Sequence, residues 1–483
     1  MLDNRLKLCA EMVSGTGCVC DVGTDHALLA AELITSGKCS RVIASDIKEG
    51  PLESAKRTVE KYGIEDKVEL VLSDGLANVP LEGVSDIVIA GMGGETIADI
   101  IEDCRELPYS DIRLILQPMT KAEELRRRLF SAGYTIESER AAEDSGRLYT
   151  VICARWNENW TELTEYEASA GFFAEDDESG KRYRMAEAER FGRIVDPLGA
   201  AGKHNEAVHA SAMQYKLTNG TDTVPLSEIY DYLDSLYPFS TQDSWDNSGL
   251  LVESSNSEVR KILLTLDIDA RAISEAENKS ADLIISHHPV IFDPLRKLRF
   301  SDPVFRLAED GISALCMHTN VDKAAGGTNG VILRRLTERL TLASEPEIFE
   351  DTGDGLGYGW ICELEEKMDP RDFGGILKEV FGCEYVRMTA QGRHRIRRFA
   401  FCSGSGGSTL GLAAAKGCDA YITGDVKHSV WIEANNIHLS LYDCGHFHTE
   451  NLVLEEFRRM LEEKYPQLDI EISGSSGDPC EYI

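Results

Sequence analysis

Histidines and carboxylates cluster in three short segments of the second half of the chain. The chain has 11 histidines, and five of them fall within SHHP (286–289), HTNVD (318–322) and GHFHTE (445–450). Each segment follows a short apolar run that is typical of a buried β-strand. Imidazole and carboxylate ligands together suit first-row divalent ions, so the pattern predicts a metal site at the ends of several strands.

Spacing within two of these segments selects candidate ligands. His287 and His288 are adjacent on a loop that leaves a strand, so the two rings can diverge and serve different ions. His446 and Glu450 are four residues apart, so a helix that starts at His446 places both on one face.

The third segment adds a carboxylate. Asp322 lies just past a strand end, and His318 is close by. Asp322 and Glu450 each have the chemistry to bridge two ions. His448 alternates with His446 and is expected to face solvent or to support a ligand from behind. We therefore expect two divalent ions, with zinc, iron and manganese as the candidates.

Aspartate and glycine residues close four successive strand-like runs in the first half of the chain. Ligands bind outside the carboxyl ends of the strands in a doubly wound sheet. Gly23 permits close backbone approach, Asp46 suits a ribose diol, and Asp74 can accept from an adenine amino group. The candidate cofactor-binding residues at these strand ends are Asp21, Gly23, Asp46, Asp74, Gly91 and Gly93.

A pyrophosphate-binding G-x-G-x-x-G motif is absent from this half, which disfavours NAD and favours S-adenosylmethionine. Ordinary turn chemistry is the alternative, because aspartate and glycine also cap helices and form turns.

The elements that position these residues follow from the rhythm of the sequence. Residues 1–155 alternate apolar strands with helical stretches, which predicts a parallel sheet with helices on both faces and an antiparallel hairpin, YTIESERAAED and RLYTVICARW, at one edge. Residues 156–222 are polar and predict a helical linker. Residues 223–483 form a second α/β region.

Bulk composition limits the function classes. A net charge of −33 argues against a general nucleic-acid binder, although a local basic patch is compatible with it. Thirteen scattered cysteines fit reduced thiols in a cytoplasm. No apolar run is long enough for a membrane span, and the start does not resemble a signal peptide.

The motifs DVGTDHALL, SDIKEGP, LSDGL, IAGMGGETI and LILQPM resemble the TrmK-type tRNA (adenine-N1) methyltransferases over residues 1–155. The resemblance implies a Rossmann-like class I methyltransferase domain, S-adenosylmethionine as cofactor, and tRNA as partner. It also implies that the cofactor site is lined by Asp21, Gly23, Asp46, Asp74 and Met92. Methylation leaves a cationic ring, so we expect a carboxylate, Asp25, to stabilise it, with His26 or Gln117 orienting the base. A structural hydrogen bond at the helix start is an equally good interpretation of His26.

This half departs from the family at three places. Leu28 and Ala30 stand where an aromatic residue and a proline are usual, and the C-terminal helical hairpin corresponds to the shortened, interrupted region 156–222. The strongest basic patch is formed by Lys121 and residues 126–128. It fits either phosphate contact or a solvated helix face.

The motifs WDNSGLLV (245–252), ISHHP, MHTNVD, TGDVKH and DCGHFHTE resemble the Nif-three-like dinuclear-metal proteins, also named GTP cyclohydrolase type-two homologues, over residues 225–483. The resemblance implies a two-lobed α/β domain and toroidal hexamers with paired metals facing an inner cavity. It carries the ligand set over to His287, His288, Asp322, His446 and Glu450.

The two resemblances imply a fusion of a methyltransferase with a dinuclear-metal domain. Paired metals suit hydrolysis, so the second half is expected to be a metal-dependent hydrolase acting on a nucleotide or similar small molecule. A non-catalytic, multimerising scaffold is the alternative. The glycine-rich run at 401–417 fits a phosphate site or a tight turn, and residues 245–247 fit a cavity rim or a turn.

Overall fold

Seven strands form the sheet of the first unit. The computed structural model describes residues 2–480 except 16, 159, 354 and 390, and it divides the chain into Met1–Gly220 and Thr221–Ile483. The strands are β1 (Cys18–Val22), β2 (Arg41–Asp46), β3 (Val68–Leu72), β4 (Val84–Gly93), β5 (Arg113–Thr120), β6 (Tyr134–Asp144) and β7 (Arg147–Trp156). Their order is β3-β2-β1-β4-β5-β7-β6, and β7 is antiparallel to both neighbours. The predicted parallel sheet with an edge hairpin is confirmed.

Helices cover both faces of this sheet. They are α1 (Asn4–Met12), α2 (Leu28–Thr35), α3 (Glu49–Tyr62), α4 (Gly94–Glu102) and α5 (Ala122–Ser131). One apolar core lies beneath α4 and α5, and a second lies beneath α1, α2 and α3. The strand order reverses between β1 and β4, so a crevice forms at the carboxyl ends of these two strands.

Three further helices belong to this unit: α6 (Glu165–Ala170), α7 (Glu178–Ala200) and α8 (His204–Asn219). The last two pack against each other through small and apolar residues such as Ala188, Phe191 and Met213. A fully buried ion pair between Arg126 and Glu139 ties α6 to the sheet, because the Arg126 guanidinium also donates to the Ala168 carbonyl at 2.6 Å. The chain divides into its two compact units between residues 220 and 221. The domain boundaries at residues 155 and 222, which the sequence indicates, stay predictions.

Two large sheets and one two-stranded sheet form the second unit. Its strands are β8 (Val224–Pro225), β9 (Gly249–Val252), β10 (Glu258–Val259), β11 (Lys261–Thr265), β12 (Leu283–Ser286), β13 (Ser313–Cys316), β14 (Glu347–Gly353), β15 (Leu356–Met368), β16 (Arg387–Met388), β17 (Ile396–Phe401), β18 (Ala420–Thr423), β19 (Ser440–Asp443) and β20 (Asp469–Ile472). One sheet has the order β20-β11-β12-β13-β9 and the other β14-β15-β17-β18-β19-β16, while β8 and β10 pair separately. This arrangement confirms the predicted two-lobed α/β domain.

Ten α-helices pack around these two sheets within the described residues. They are α9 (Leu226–Leu236), α10 (Ala270–Lys279), α11 (Pro303–Asp310), α12 (Thr319–Lys323), α13 (Thr328–Thr337), α14 (Pro370–Phe381), α15 (Leu410–Ala415), α16 (His428–Asn436), α17 (His446–Glu450) and α18 (Val453–Lys464). Each sheet buries apolar residues on both faces. Among the described residues, no helix is long and apolar enough to cross a membrane.

Candidate metal centre and cofactor cleft

Six side chains of the second unit bring ligand atoms to one centre. His287 and His288 directly follow β12, and α12 with its cap provides the next two ligands after β13. The short helix α17 begins and ends with the last two, as its four-residue spacing predicts. Three overlapping groups have ligand atoms within 4.8 Å of one another: His287/His288/His318, His288/His446/Glu450 and His287/Asp322/Glu450.

Glu450 occupies the middle of this arrangement. Its Oε2 lies 2.9 Å from His288 Nε2, 2.8 Å from His446 Nε2 and 3.8 Å from His287 Nε2. His287 Nε2 also lies 3.5 Å from Asp322 Oδ1. One carboxylate is thus shared by two potential ion sites, which fits a bridging ligand.

The second ring nitrogen of each central histidine contacts a hydrogen-bond acceptor. The Nδ1···O pairs are His287 with the Met317 carbonyl at 2.8 Å, His288 with Asp267 at 2.8 Å, His318 with Asp246 at 2.7 Å and His446 with Asp425 at 2.7 Å. Such an acceptor holds a proton on Nδ1 and orients the ring, which leaves the Nε2 lone pair free for a metal ion. In all four histidines, the contact at Nδ1 therefore orients the ring so that Nε2 is the atom available to a metal ion.

Two buried atoms at this centre support the same conclusion. His287 Nε2 and Asp322 Oδ1 are buried without a hydrogen-bond partner among the described residues. Burying a polar atom without a partner is costly, and a cation between the two would satisfy both. Gly404 allows the close packing, because a Cβ there would lie 2.0 Å from Glu450 Oε1. The residues present fit a divalent metal site.

Burial and charge set the protonation of the ligands. Burial lowers the pKa of His287 to about 3, so this ring is neutral at neutral pH, as a metal ligand must be. Burial, together with the charge of Glu450, raises the pKa of Asp322 to about 7. Burial disfavours charge on His288 and His446, but hydrogen bonds to carboxylates outweigh it and raise their pKa values to about 10 and about 9. Protons and divalent cations therefore compete for the same atoms.

A cavity of about 1020 Å³ opens beside the centre. Its walls include the two ligands His288 and His446 and the aromatic rings of Tyr385 and Phe447. One guanidinium, Arg387, also lines it. The cavity is large enough for a small organic molecule to contact the ligand side of the centre.

The cofactor cleft of the first unit is organised by the turn after β1. The backbone N–H groups of Gly23 and Thr24 donate to the Ser45 carbonyl at 2.8 and 2.9 Å, which joins the ends of β1 and β2. Gly23 has a φ of +79°, and a Cβ there would lie 2.1 Å from Met92 Cε. The left-handed φ favours glycine here, whereas the Met92 methyl ends a flexible side chain and can move aside. Burial raises the pKa of Asp21, at the base of the turn, to about 6.

The other candidate cofactor residues lie at neighbouring strand ends. Asp46 ends β2 and accepts from the Lys48 N–H at 2.8 Å, which orients its carboxylate. Asp74 is exposed just after β3. Gly91, in the glycine turn of 91–93 at the end of β4, has a φ of +81°. The structure brings this set to the carboxyl edge of one parallel sheet, where these three strands and β1 adjoin.

The candidate catalytic residues differ in accessibility. Asp25 and His26 are exposed, and their side chains lie 3.2 Å apart. Gln117 is fully buried: its Oε1 accepts from Arg5 at 2.9 Å and from the Gly91 N–H at 3.2 Å, and its Nε2 donates to Pro118. The structure thus places Gln117 behind the glycine turn rather than at the open edge of the cleft.

The basic patch is largely neutralised. Arg126 is fully buried against Glu139, which excludes phosphate contact by this residue. Lys121 pairs with Glu95 at 2.5 Å, and Arg128 pairs with Glu102 and with a second carboxylate of α4.

The sequence did not predict the part that four residues play in the metal centre, and it placed one of them, Asp246, at a cavity rim or in a turn. His318 supplies a ligand atom, and Asp246, Asp267 and Asp425 orient the rings. The sequence indicated two of these residues, because Asp267 and Asp425 each lie at the end of a short apolar run, in KILLTLDI and in DAYITGD. The ends of such runs are where the ligand histidines also lie.

The two units define the class of protein: a Rossmann-like cofactor-binding domain joined to an α/β domain with a candidate dinuclear metal centre. A family model described as Duf34/NIF3 (NGG1p interacting factor 3) matches residues 224–479, more than half of the chain. The chain belongs to this family. A model described as methyltransferase domain matches residues 2–152, so the first unit carries a methyltransferase domain.

Individual relatives match one half or the other. A GTP cyclohydrolase 1 type 2 homolog of Campylobacter jejuni is 33% identical over 47% of this chain and 87% of its own length. The tRNA (adenine(22)-N(1))-methyltransferase of Bacillus subtilis is 37% identical over 32% of this chain and 64% of its own length. The crystal structure of the Bacillus subtilis tRNA methyltransferase TrmK aligns with 45% of this chain and 99% of its own, with 27% identity and a TM-score of 0.39.

Proposed function

We propose that the first unit methylates N1 of an adenine in tRNA, using S-adenosylmethionine. The observation that carries this proposal is the strand-end cleft, in which a glycine turn, a buried carboxylate and two further aspartates adjoin. The 37% identity to a tRNA adenine-N1 methyltransferase of Bacillus subtilis supports the choice of substrate.

Each cleft residue has a role that its chemistry suits. When bound, S-adenosylmethionine supplies an electrophilic methyl group. Asp21 pairs with its ammonium group, Asp46 accepts from the ribose hydroxyls and Asp74 accepts from the adenine amino group. Gln117 and Arg5 hold the Gly91 turn in place.

The exposed pair after β1 acts on the substrate base. Adenine N1 already carries a lone pair, so no general base is required before the methyl group is attacked. Positive charge develops on the ring, and the Asp25 carboxylate stabilises that charge electrostatically. His26, 3.2 Å from Asp25, orients the base or the carboxylate.

Transfer of labelled methyl groups from S-adenosylmethionine to bulk bacterial tRNA by the full chain tests this proposal. We expect incorporation into tRNA, and a loss of at least about tenfold in turnover for Asp25→Asn with unchanged cofactor affinity. Binding of S-adenosylmethionine without transfer to any tRNA would overturn the choice of substrate.

For the second unit we propose a metal-dependent hydrolase that acts on a small molecule. Divalent ions would supply Lewis acidity there, held by His287, His288, Asp322, His446 and Glu450, with His318 as a sixth ligand. The supporting observation is the cavity of about 1020 Å³ beside two of these ligands, because a structural centre needs no such access.

A scaffold that multimerises the methyltransferase is the second candidate, since the buried ion-pair network of the centre would also suit a structural role. Hydrolysis of bis(p-nitrophenyl) phosphate by the manganese-loaded chain distinguishes the two. A hydrolase cleaves this ester, and chelation stops cleavage while the oligomeric mass stays constant. A scaffold shows no cleavage, and chelation lowers the mass measured by light scattering.

A further inference from the structure

Two exposed aromatic rings stand next to the metal centre. Trp245 and Phe292 are 56% and 50% exposed, and their ring centroids lie 6.0 Å apart. The Trp245 ring lies 6.1 Å from the ring of His318, in an edge-on arrangement. We call Trp245 and Phe292 the aromatic shelf. Exposed apolar side chains that adjoin one another mark binding surfaces, whereas single ones are common on any protein.

The backbone beneath the aromatic shelf is fixed to the centre. Asp246, next to Trp245, has a fully buried side chain that accepts from His318 Nδ1 at 2.7 Å and from the Thr319 hydroxyl at 2.6 Å. Asn247 donates to the Ile291 carbonyl at 2.7 Å, which joins the turn at 245–247 to the loop that carries Phe292. The shelf is therefore held in position by the same contacts that orient a candidate ligand.

Three exposed basic residues lie a few positions after Phe292 in the sequence. Arg296, Lys297 and Arg299 are exposed, and their side chains make no hydrogen bond or ion pair with any described residue. Two cations close to the ligand residues are neutralised instead: Lys323 pairs with Asp243, and Arg387 pairs with Asp443. In a chain with a net charge of −33, an unpaired cationic segment favours an anionic ligand.

We propose that the aromatic shelf binds the planar ring of a nucleotide, and that the cationic segment 296–299 attracts its phosphate. Aromatic rings stack on any base, because every base has a π face. Arg296 follows Phe292 by four residues, a span of at most about 14 Å of extended chain, so at least this cation remains within a nucleotide's length of the ring. Arg299 follows by seven residues, a span of at most about 25 Å. The inference rests on the proposed hydrolase and names the substrate class of that centre.

Calorimetric titration of the manganese-loaded full chain with GMP and with guanosine tests the aromatic shelf. GMP is preferred to an adenine nucleotide because it does not resemble S-adenosylmethionine. We expect Trp245→Ala to weaken GMP binding about ten- to hundredfold, and Trp245→Phe to keep it within about threefold. Trp160→Ala is the matched control, since this tryptophan of the first unit is equally exposed, at 55%. It should not change GMP affinity.

A triple variant tests the cationic segment 296–299 separately from the aromatic shelf. The triple variant Arg296→Gln, Lys297→Gln, Arg299→Gln should weaken GMP at least about fivefold and leave guanosine unchanged. Manganese content and oligomeric mass are measured for every variant and should equal those of the unchanged chain. No GMP binding by the unchanged chain, or unaltered GMP affinity in Trp245→Ala with full metal content, would overturn the shelf.

Other outcomes separate this inference from the function on which it rests. GMP binding that depends on Trp245, without hydrolysis of any phosphate ester, would overturn the hydrolase and keep the shelf. A drop in oligomeric mass in Trp245→Ala would show instead that a second copy of the chain covers the two rings, which would overturn the nucleotide assignment.

Discussion

The metal centre and the cofactor cleft both lie at the carboxyl ends of parallel strands, but they are built from different groups. In the metal centre, four buried or half-buried imidazoles and two buried carboxylates converge, and each ring is oriented by its own acceptor. The cofactor cleft is formed mainly by backbone turns around Gly23 and Gly91, and one of its candidate ligand-binding carboxylates, Asp74, is exposed.

This difference shows how far each site is organised before its ligand arrives. The metal centre is a closed network in which removal of one member leaves buried charges without partners, so its side chains act as a unit. The cleft is a set of separate contacts with a large ligand, so single substitutions should subtract single contacts. Substitutions in the two sites are expected to differ accordingly in size and in mutual dependence.

The largest effect is expected at the centre of the network. His287→Ala combined with Glu450→Ala removes ligand atoms from all three candidate groups, so the metal content should fall from two equivalents per chain to none. Metal analysis after dialysis measures this. His448→Ala is the control, because His448 lies on α17 together with Glu450 but belongs to none of these groups. This variant should retain both ions. Two equivalents retained in the double variant would place the ligands elsewhere.

A single contact in the cleft should have the next largest effect. Asp46→Ala removes the carboxylate that we assign to both ribose hydroxyls, so S-adenosylmethionine affinity should fall more than about a hundredfold. Asp66→Ala, an exposed aspartate of the same unit, should bind the cofactor normally. Calorimetry compares the two variants. Equal affinities for both would refute the assignment of the cleft.

Removal of a ring-orienting carboxylate should have a smaller effect than removal of a ligand. Asp267→Ala leaves His288 in place but frees its Nδ1, and loss of such a partner usually costs about 10- to 100-fold in metal affinity. Asp372→Ala, an exposed aspartate on α14, serves as the control. Competition with a chromogenic chelator gives both affinities, and equal values would show that the ring needs no such support.

The smallest effect concerns the pH dependence of cofactor binding. Burial raises the pKa of Asp21 to about 6, so this group becomes neutral as the pH falls through that value and loses its attraction for an ammonium group. S-adenosylmethionine affinity should therefore fall about tenfold between pH 7.5 and pH 5. Asp21→Asn should bind weakly with no such slope. A slope that survives in Asp21→Asn would assign the titration to another group.

The sequence predicted the strands and helices that position both sites. Alternating apolar runs predicted the parallel sheet and its edge hairpin, because glycine, aspartate or proline follows most of the apolar runs. The methyltransferase domain and the family of the second unit were also recognisable from short motifs, and both are confirmed. The pairing of His446 with Glu450 on one helix followed from spacing alone.

Contacts between distant segments could not be predicted in the same way. Asp267 is 21 residues from the ring that it orients and Asp246 is 72 residues away, so only the fold brings them together. Arg126 shows the opposite error: its basic run suggested a solvated or phosphate-binding face, but a carboxylate on β6 and a carbonyl of α6 draw it into the interior. Long-range pairing of this kind depends on tertiary packing, which local patterns do not encode.

The central claim is that the strand-end cleft of the first unit methylates adenine N1 in tRNA. The most direct test is nucleoside analysis, by mass spectrometry, of tRNA purified after incubation with the full chain and S-adenosylmethionine. The account predicts a gain of 1-methyladenosine that is lost in Asp46→Ala and kept in Asp66→Ala. A gain of N6-methyladenosine or of 1-methylguanosine in its place would contradict it, because the roles assigned to Asp25 and His26 apply to a ring nitrogen that is cationic after transfer.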